Sequence, residues 1–313
     1  MSDHDTPAHP ALTHSPEFRA LMERLWARPF TADVTPVPEL RDGFERFAAG
    51  FADPPTVDLE TVDANGVYCE WARPPGGDTR GAVLYLHGGG FTIGSVPAYR
   101  DLSARLAVQT GCAVLTVEYR RAPEHRFPAA LDDAVAAYRW LTATVEASSV
   151  VVAGDSAGGG LSLSTGIVAR DHGLGLPAGL VLISPLADLA HTGRSVEVNA
   201  AVDPVVTPAG SHAYAERYLG ADGDPFDPLA SPLFADLAGL PPTYVQVGTA
   251  ECLLDDSLRV ARRLRDAGVP TELDVWPDMI HILPFFASQV PEAAAALAAV
   301  VAFIRACTGA GAG

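Results

Sequence analysis

Positive charge and sulfur are both scarce in this sequence. The chain has 21 Lys and Arg residues against 38 Asp and Glu, a formal net charge of −17. Such a surface repels the phosphates of nucleic acid and anionic lipid, so neither is an expected partner. Only 4 cysteines occur, Cys69, Cys112, Cys252 and Cys307, with no C-x-x-C spacing. A disulfide framework or a structural zinc site is therefore not expected in so large a chain. Cys112 lies in an apolar run and reads as a small core residue. No apolar stretch reaches the roughly 20 residues needed to span a bilayer. The opening M-S-D-H-D-T-P-A-H-P has neither the basic nor the apolar region of a signal peptide. These absences predict a soluble, cytoplasmic protein with no membrane span, and no internal repeat is visible.

What the chain does have is apolar bulk. Its 313 residues are 48% hydrophobic, enough for one large core. Residues 1–16 are polar, with Pro and His, and are expected to be a disordered N-terminus. Residues 17–50 carry two amphipathic pieces, with Phe18, Leu21, Met22, Leu25 and Trp26, then Leu40, Phe44 and Phe47. They read either as part of a lid or as an ordinary helical hairpin. Residues 51–313 follow as one domain. Val57–Asp63 and Gly66–Arg73 read as a hairpin turning at Asn65-Gly66. Continuous apolar runs at Gly81–Leu86, Cys112–Val117, Ser148–Ala153, Ala178–Ile183 and Thr243–Gly248 read as buried strands, and Pro270–Trp276 as a last one. Helical patterns fall between them, at Ser103–Gln109, Leu131–Thr144, Ala157–Arg170 and Leu258–Asp266, and Pro291–Cys307 closes the chain. This alternation predicts an α/β fold with a mainly parallel, doubly wound sheet. Residues 186–223 break the rhythm and are expected to be a cap insertion.

One stretch organises the rest. Gly154-Asp155-Ser156-Ala157-Gly158 fits the G-x-S-x-G nucleophile elbow, and it lies between a strand and a helix as that motif requires. Glycine neighbours let Ser156 occupy a strained turn that exposes its hydroxyl. Taken by itself, the stretch could equally be a glycine-rich connection without chemistry. A second glycine-rich loop, His87-Gly88-Gly89-Gly90-Phe91, follows a buried strand. Its uncovered N–H groups can converge on an oxyanion, with the residue after the nucleophile supplying another. The expected donors are Gly88, Gly89 and Ala157. The loop ends in no G-K-[ST] and forms no G-x-G-x-x-G, which argues against phosphate binding. His87 reads as a residue that shapes this loop, with a role as catalytic base as the alternative.

Further segments carry a resemblance. With the two glycine-rich motifs, Tyr119-Arg120 and Ala122-Pro123-Glu124, Ser231-Pro232-Leu233 and Gly239-Leu240-Pro241-Pro242 resemble the bacterial hormone-sensitive-lipase-like (family IV) carboxylesterases of the α/β-hydrolase fold. The matches run from about residue 68 to 290, most of the chain. The charged loop around Glu118–Arg126 is read as an ion-pair cluster that braces the site.

In α/β-hydrolases the triad follows the order Ser, acid, His. His172, His191, His212 and His281 lie after Ser156. His172 precedes any acid, and His191 and His212 fall in the expected cap. The resemblance places the base at His281, just past the last strand. For the acid, the family stretch D-P-L-x-D-[DE] corresponds to Glu251-Cys252-Leu253-Leu254-Asp255-Asp256. Glu251 thus takes the usual Asp position, with Asp255 as the alternative. Asp155 adjoins Ser156 and cannot bridge the triad, so it is expected to stabilise the turn. Phe91, Leu253 and Ile282 flank these residues and are candidates to line a substrate pocket.

The resemblance implies a serine carboxylesterase acting on a small-molecule ester, with short- to medium-chain acyl or aryl groups and an acyl-enzyme on Ser156. It implies no metal and no cofactor, and it admits a homodimer through the sheet edge. An amidase or lactonase would use the same machinery. A non-catalytic small-molecule receptor could dispense with the base, and the presence of Ser156, Glu251 and His281 together argues against it.

Overall fold

A computed structural model of the chain describes residues 14–27, 31–76 and 81–309. Its centre is one 8-stranded sheet. The strands are β1 (Asp58–Asp63), β2 (Tyr68–Arg73), β3 (Ala82–Leu86), β4 (Ala113–Val117), β5 (Val150–Asp155), β6 (Gly179–Ile183), β7 (Thr243–Gly248) and β8 (Thr271–Trp276). The helices are α1 (Pro16–Ala27), α2 (Val37–Ala49), α3 (Val96–Thr110), α4 (Ala129–Thr142), α5 (Ala157–Asp171), α6 (Ser195–Val198), α7 (Pro208–Leu219), α8 (Leu254–Asp266) and α9 (Pro291–Thr308). Strand order is β1-β2-β4-β3-β5-β6-β7-β8. β2 runs antiparallel to β1 and β4, and every pairing from β4 to β8 is parallel.

Every residue of β3 to β7 is buried. Helices cover both faces there, which is why these strands read as unbroken apolar runs. Alternate side chains feed the two cores. Leu84 and Leu86 join the layer that holds α4, α5 and α8, while Val83 and Tyr85 join the layer of α1, α2, α3 and α9. The β1–β2 hairpin turns at Asn65 (φ 59) and Gly66 (φ 89), both left-handed, as a two-residue turn of the type matched to strand twist requires.

Two helices begin earlier than their periodicity indicates. α3 starts at Val96, where the Ser95 hydroxyl accepts the Ala98 N–H at 3.2 Å and Pro97 occupies the first turn. α8 starts at Leu254, with Asp255 and Asp256 in its first turn. Of the expected N-terminal tail, residues 1–13 lie outside the described residues. Ser15 is fixed: its N–H and hydroxyl donate to the Glu292 carboxylate of α9 at 2.7 and 2.8 Å. α9 is long and apolar enough to cross a membrane by length and composition. Here it packs against the sheet, with Ala296, Leu297, Val300 and Ile304 fully buried.

Arg41 fastens α2 to the loops after β3 and β4. Arg41 donates to the Thr92 and Ala122 carbonyls, each at 2.9 Å, and to both oxygens of Glu124 at 2.8 and 2.7 Å. The charged loop, expected to brace the site, here also ties down α2.

Candidate active site

Strands β3, β5, β7 and β8 bring the site together at their C-terminal ends. Between β5 and α5 the chain reverses at Ser156, whose φ of 52° and ψ of −122° are strained for an L residue. Its N–H is anchored to the Ile183 carbonyl at 2.8 Å. The flanking glycines allow close approach to β3. A Cβ at Gly154 or at Gly158 would be driven into the Leu86 carbonyl.

His281 follows β8 and Glu251 follows β7. His281 Nε2 lies 3.0 Å from Ser156 Oγ, and His281 Nδ1 lies 2.8 Å from Glu251 Oε2. The other Glu251 oxygen accepts the Ser184 hydroxyl at 2.8 Å and the Gly248 N–H at 2.5 Å. Glu251 is 1% exposed and His281 3%. Burial opposes a charge on His281, but the hydrogen bond and charge of Glu251 outweigh it and hold the imidazole above its ordinary value. The alternative acid, Asp255, faces elsewhere: its carboxylate accepts the Arg194 and Ser195 N–H groups at 2.6 and 3.0 Å.

The oxyanion donors require a correction. Gly88 was expected to donate, but its N–H is already committed to Asp155 Oδ1 and the Tyr99 hydroxyl, both at 3.1 Å. The N–H groups of Gly89 and Gly90 have no acceptor among the described residues, and both glycines line the cavity beside Ser156. Ala157 opens α5, where an N–H has no intrahelical acceptor. The free set is Gly89, Gly90 and Ala157.

Asp155 is the strut between the two glycine-rich turns. It accepts the Tyr85 and Tyr99 hydroxyls, each at 2.8 Å, besides the Gly88 N–H. Burial raises its carboxyl to about 6 against these bonds. His87 shapes the loop rather than serving Ser156. Its Nδ1 pairs with the Gly88 carbonyl at 2.8 Å, its ring stacks on Tyr119 at 4.2 Å, and burial lowers it to about 3.

A cavity of about 80 Å³ opens over Ser156. Phe44 and Phe47 of α2 form one wall with Phe286, while Val205, Val206 and Tyr214 from the connection between β6 and β7 form another. Of the three expected lining residues, Leu253 and Ile282 face it. Phe91 does not. Its ring stacks on Tyr218 at 3.7 Å, inside the core. Its backbone is left-handed, with φ of 57°. Sequence reasoning passed over Tyr85, Tyr99, Ser184 and Asp203, which reach the site only through tertiary contact. Among the described residues no group of three or more His, Cys, Asp or Glu side chains could hold a metal ion.

A parallel sheet with a strained serine at a strand–helix turn defines an α/β-hydrolase, and residues 83–285 match the model of a family described as alpha/beta hydrolase fold. The chain is 41% identical over 272 residues to an acetyl-hydrolase of Streptomyces hygroscopicus, an alignment covering 87% of this chain and 90% of that protein. It is 34% identical to an esterase of Acinetobacter venetianus, over 84% of this chain and 87% of that one. The crystal structure of an esterase from the bacterial hormone-sensitive lipase family superimposes with a TM-score of 0.90 and 40% identity, covering 95% of this chain and 100% of that one. The chain belongs to this family and is a carboxylic ester hydrolase.

Proposed function

We propose that this esterase acts through a Ser156–His281–Glu251 triad on short- to medium-chain acyl or aryl esters. The observation that carries the reading is the continuous pair of contacts, 3.0 Å from Ser156 Oγ to His281 Nε2 and 2.8 Å from His281 Nδ1 to Glu251. Ser156 Oγ bonds the ester carbonyl carbon as its proton passes to His281 Nε2. The resulting oxyanion accepts the N–H groups of Gly89, Gly90 and Ala157. Collapse breaks the bond to the alcohol oxygen, which takes the proton from His281. Water then gives a proton to His281 and adds to the acyl carbon. The Ser156 ester bond breaks, the proton returns to Oγ, and the carboxylic acid leaves. Glu251 accepts a hydrogen bond from Nδ1–H throughout and stabilises the imidazolium.

The small, mostly apolar cavity supports short chains, as does the likeness to an acetyl-hydrolase. Residues 17–50 and the 186–223 insertion act together as the cap, since both contribute walls. Four cysteines without disulfides support a cytoplasmic location. A homodimer would pair along an edge of the sheet, β1 or β8. The test is hydrolysis of chromogenic esters of increasing acyl length by the parent and Ser156→Ala. Activity that falls with chain length and vanishes in the variant supports the reading. A parent inert on every ester, or an active Ser156→Ala, sinks it.

A further inference from the structure

The loop that carries Glu251 is laced into the β6–β7 connection. Asn199 Nδ2 donates to the Thr249 and Glu251 carbonyls at 3.0 and 2.8 Å. The Ser195 hydroxyl donates to the Cys252 carbonyl at 2.7 Å. At the centre stands Asp203, 1% exposed. Its Oδ2 accepts the Cys252 N–H at 2.8 Å, and its Oδ1 accepts the Val205 and Val206 N–H groups, both at 2.9 Å. All three of these donors are backbone N–H groups.

We infer that Asp203 is a positioning residue for Glu251: it fixes the peptide that follows the catalytic acid and adds a second negative charge beside the Glu251–His281 pair. The inference rests on the triad reading above. Two consequences of its position distinguish it from a purely structural residue. The same carboxylate holds the turn whose Val205 and Val206 wall the cavity, so one side chain joins substrate wall and acid loop. Its charge also acts on His281 directly. The charges of Glu251, Asp203 and Asp155 all favour the imidazolium, and the buried Cys252 thiol feels Asp203, Glu251 and Glu197. Removing the Asp203 charge must therefore lower the pH at which His281 gives up its proton.

The experiment compares the full chain with Asp203→Asn, Glu251→Gln and the double variant, measuring kcat and KM on a short-chain chromogenic ester from about pH 5 to 9. Asp203→Asn is expected to lower kcat about tenfold, the scale of one charge-assisted hydrogen bond, with KM within about twofold. Its acidic limb moves to lower pH, and the double variant is no slower than Glu251→Gln, because the two residues act as a unit. Losses that multiply in the double variant, or an acidic limb that stays in place, overturn the inference. An unchanged Asp203→Asn beside a crippled Glu251→Gln overturns it while sparing the triad; a fully active Glu251→Gln sinks both. If Asp203→Asn does not fold, Asp203→Ser caps the same turn without the charge, and the same shift of the acidic limb decides.

Discussion

Asp155 Oδ1 accepts the Gly88 N–H at 3.1 Å, and through that bond the residue before Ser156 sets the position of the glycine-rich loop after β3. Gly88 is held so that Gly89 and Gly90 are free. Asp155→Asn keeps the shape but offers one acceptor oxygen where two were used. It is expected to lower kcat at least tenfold with little change in KM, since a shifted donor is felt mainly in the transition state. A pH effect accompanies it. The Asp155 carboxyl is raised to about 6 from 3.8, so the folded chain binds that proton more tightly than the unfolded chain. This contribution to stability is present below 3.8 and is lost as pH rises through about 6. The urea midpoint of Asp155→Asn should therefore fall less than that of the parent over this range.

The His281 imidazole gives a second prediction. In the proposed mechanism His281 acts as a base only when neutral, and Glu251 holds it above the ordinary value of 6.5. The kcat/KM of the parent should rise with pH through a midpoint above 6.5. In Glu251→Gln the largest raising cause is gone, and burial, which lowers the value, is opposed only by the charges of Asp203 and Asp155. The midpoint should move down, and kcat should fall by about 10³- to 10⁴-fold as the tautomer is lost. Measured pH–rate profiles of both proteins decide this; a midpoint that does not move would contradict the assignment of Glu251.

These two residues also mark how far the sequence can be read. Buried strands such as β3 and β5 are legible because a parallel strand covered on both faces must be apolar throughout. Ser156 is legible because the strained turn demands glycine at Gly154 and Gly158. Which N–H of three successive glycines is free is a different kind of fact. It depends on Tyr99, 11 residues away, and on Asp155, 67 residues away. Phe91 is illegible for a related reason: its chain neighbours point to a pocket, while its ring stacks on Tyr218, far along the chain. Asp203 meets Cys252 across 49 residues of chain, and no local pattern announces that contact.

Arg41 offers a test of the N-terminal helices. Glu124 is half exposed, so the ion pair itself contributes little. The bonds to the Thr92 and Ala122 carbonyls are partly buried and matter more. Arg41→Ala should lower stability by about 1–2 kcal/mol, read as a reduced urea midpoint. Arg41→Lys cannot span the same four acceptors and should recover only part of it. Because α2 carries Phe44 and Phe47 into the cavity wall, KM should rise in both variants more than kcat falls.

Gly90 is where space and donor geometry meet. It sits at φ 56°, and a Cβ there would enter the ring of Tyr214. Gly90→Ala must therefore push the loop away from α7 or push Tyr214 off the loop. The first displaces a proposed oxyanion donor and should lower kcat by about 10²- to 10³-fold. The second alters the cavity wall and should appear mainly in KM. Pairing the change with Tyr214→Ala separates the two, since removal of the ring relieves the clash without touching the backbone donor. Recovery of kcat in the double variant would show that the ring, by its contact with Gly90, holds the donor at its working position. A kcat that stays low would mean the left-handed backbone at Gly90 cannot carry a side chain, and that the glycine is required for its conformation alone.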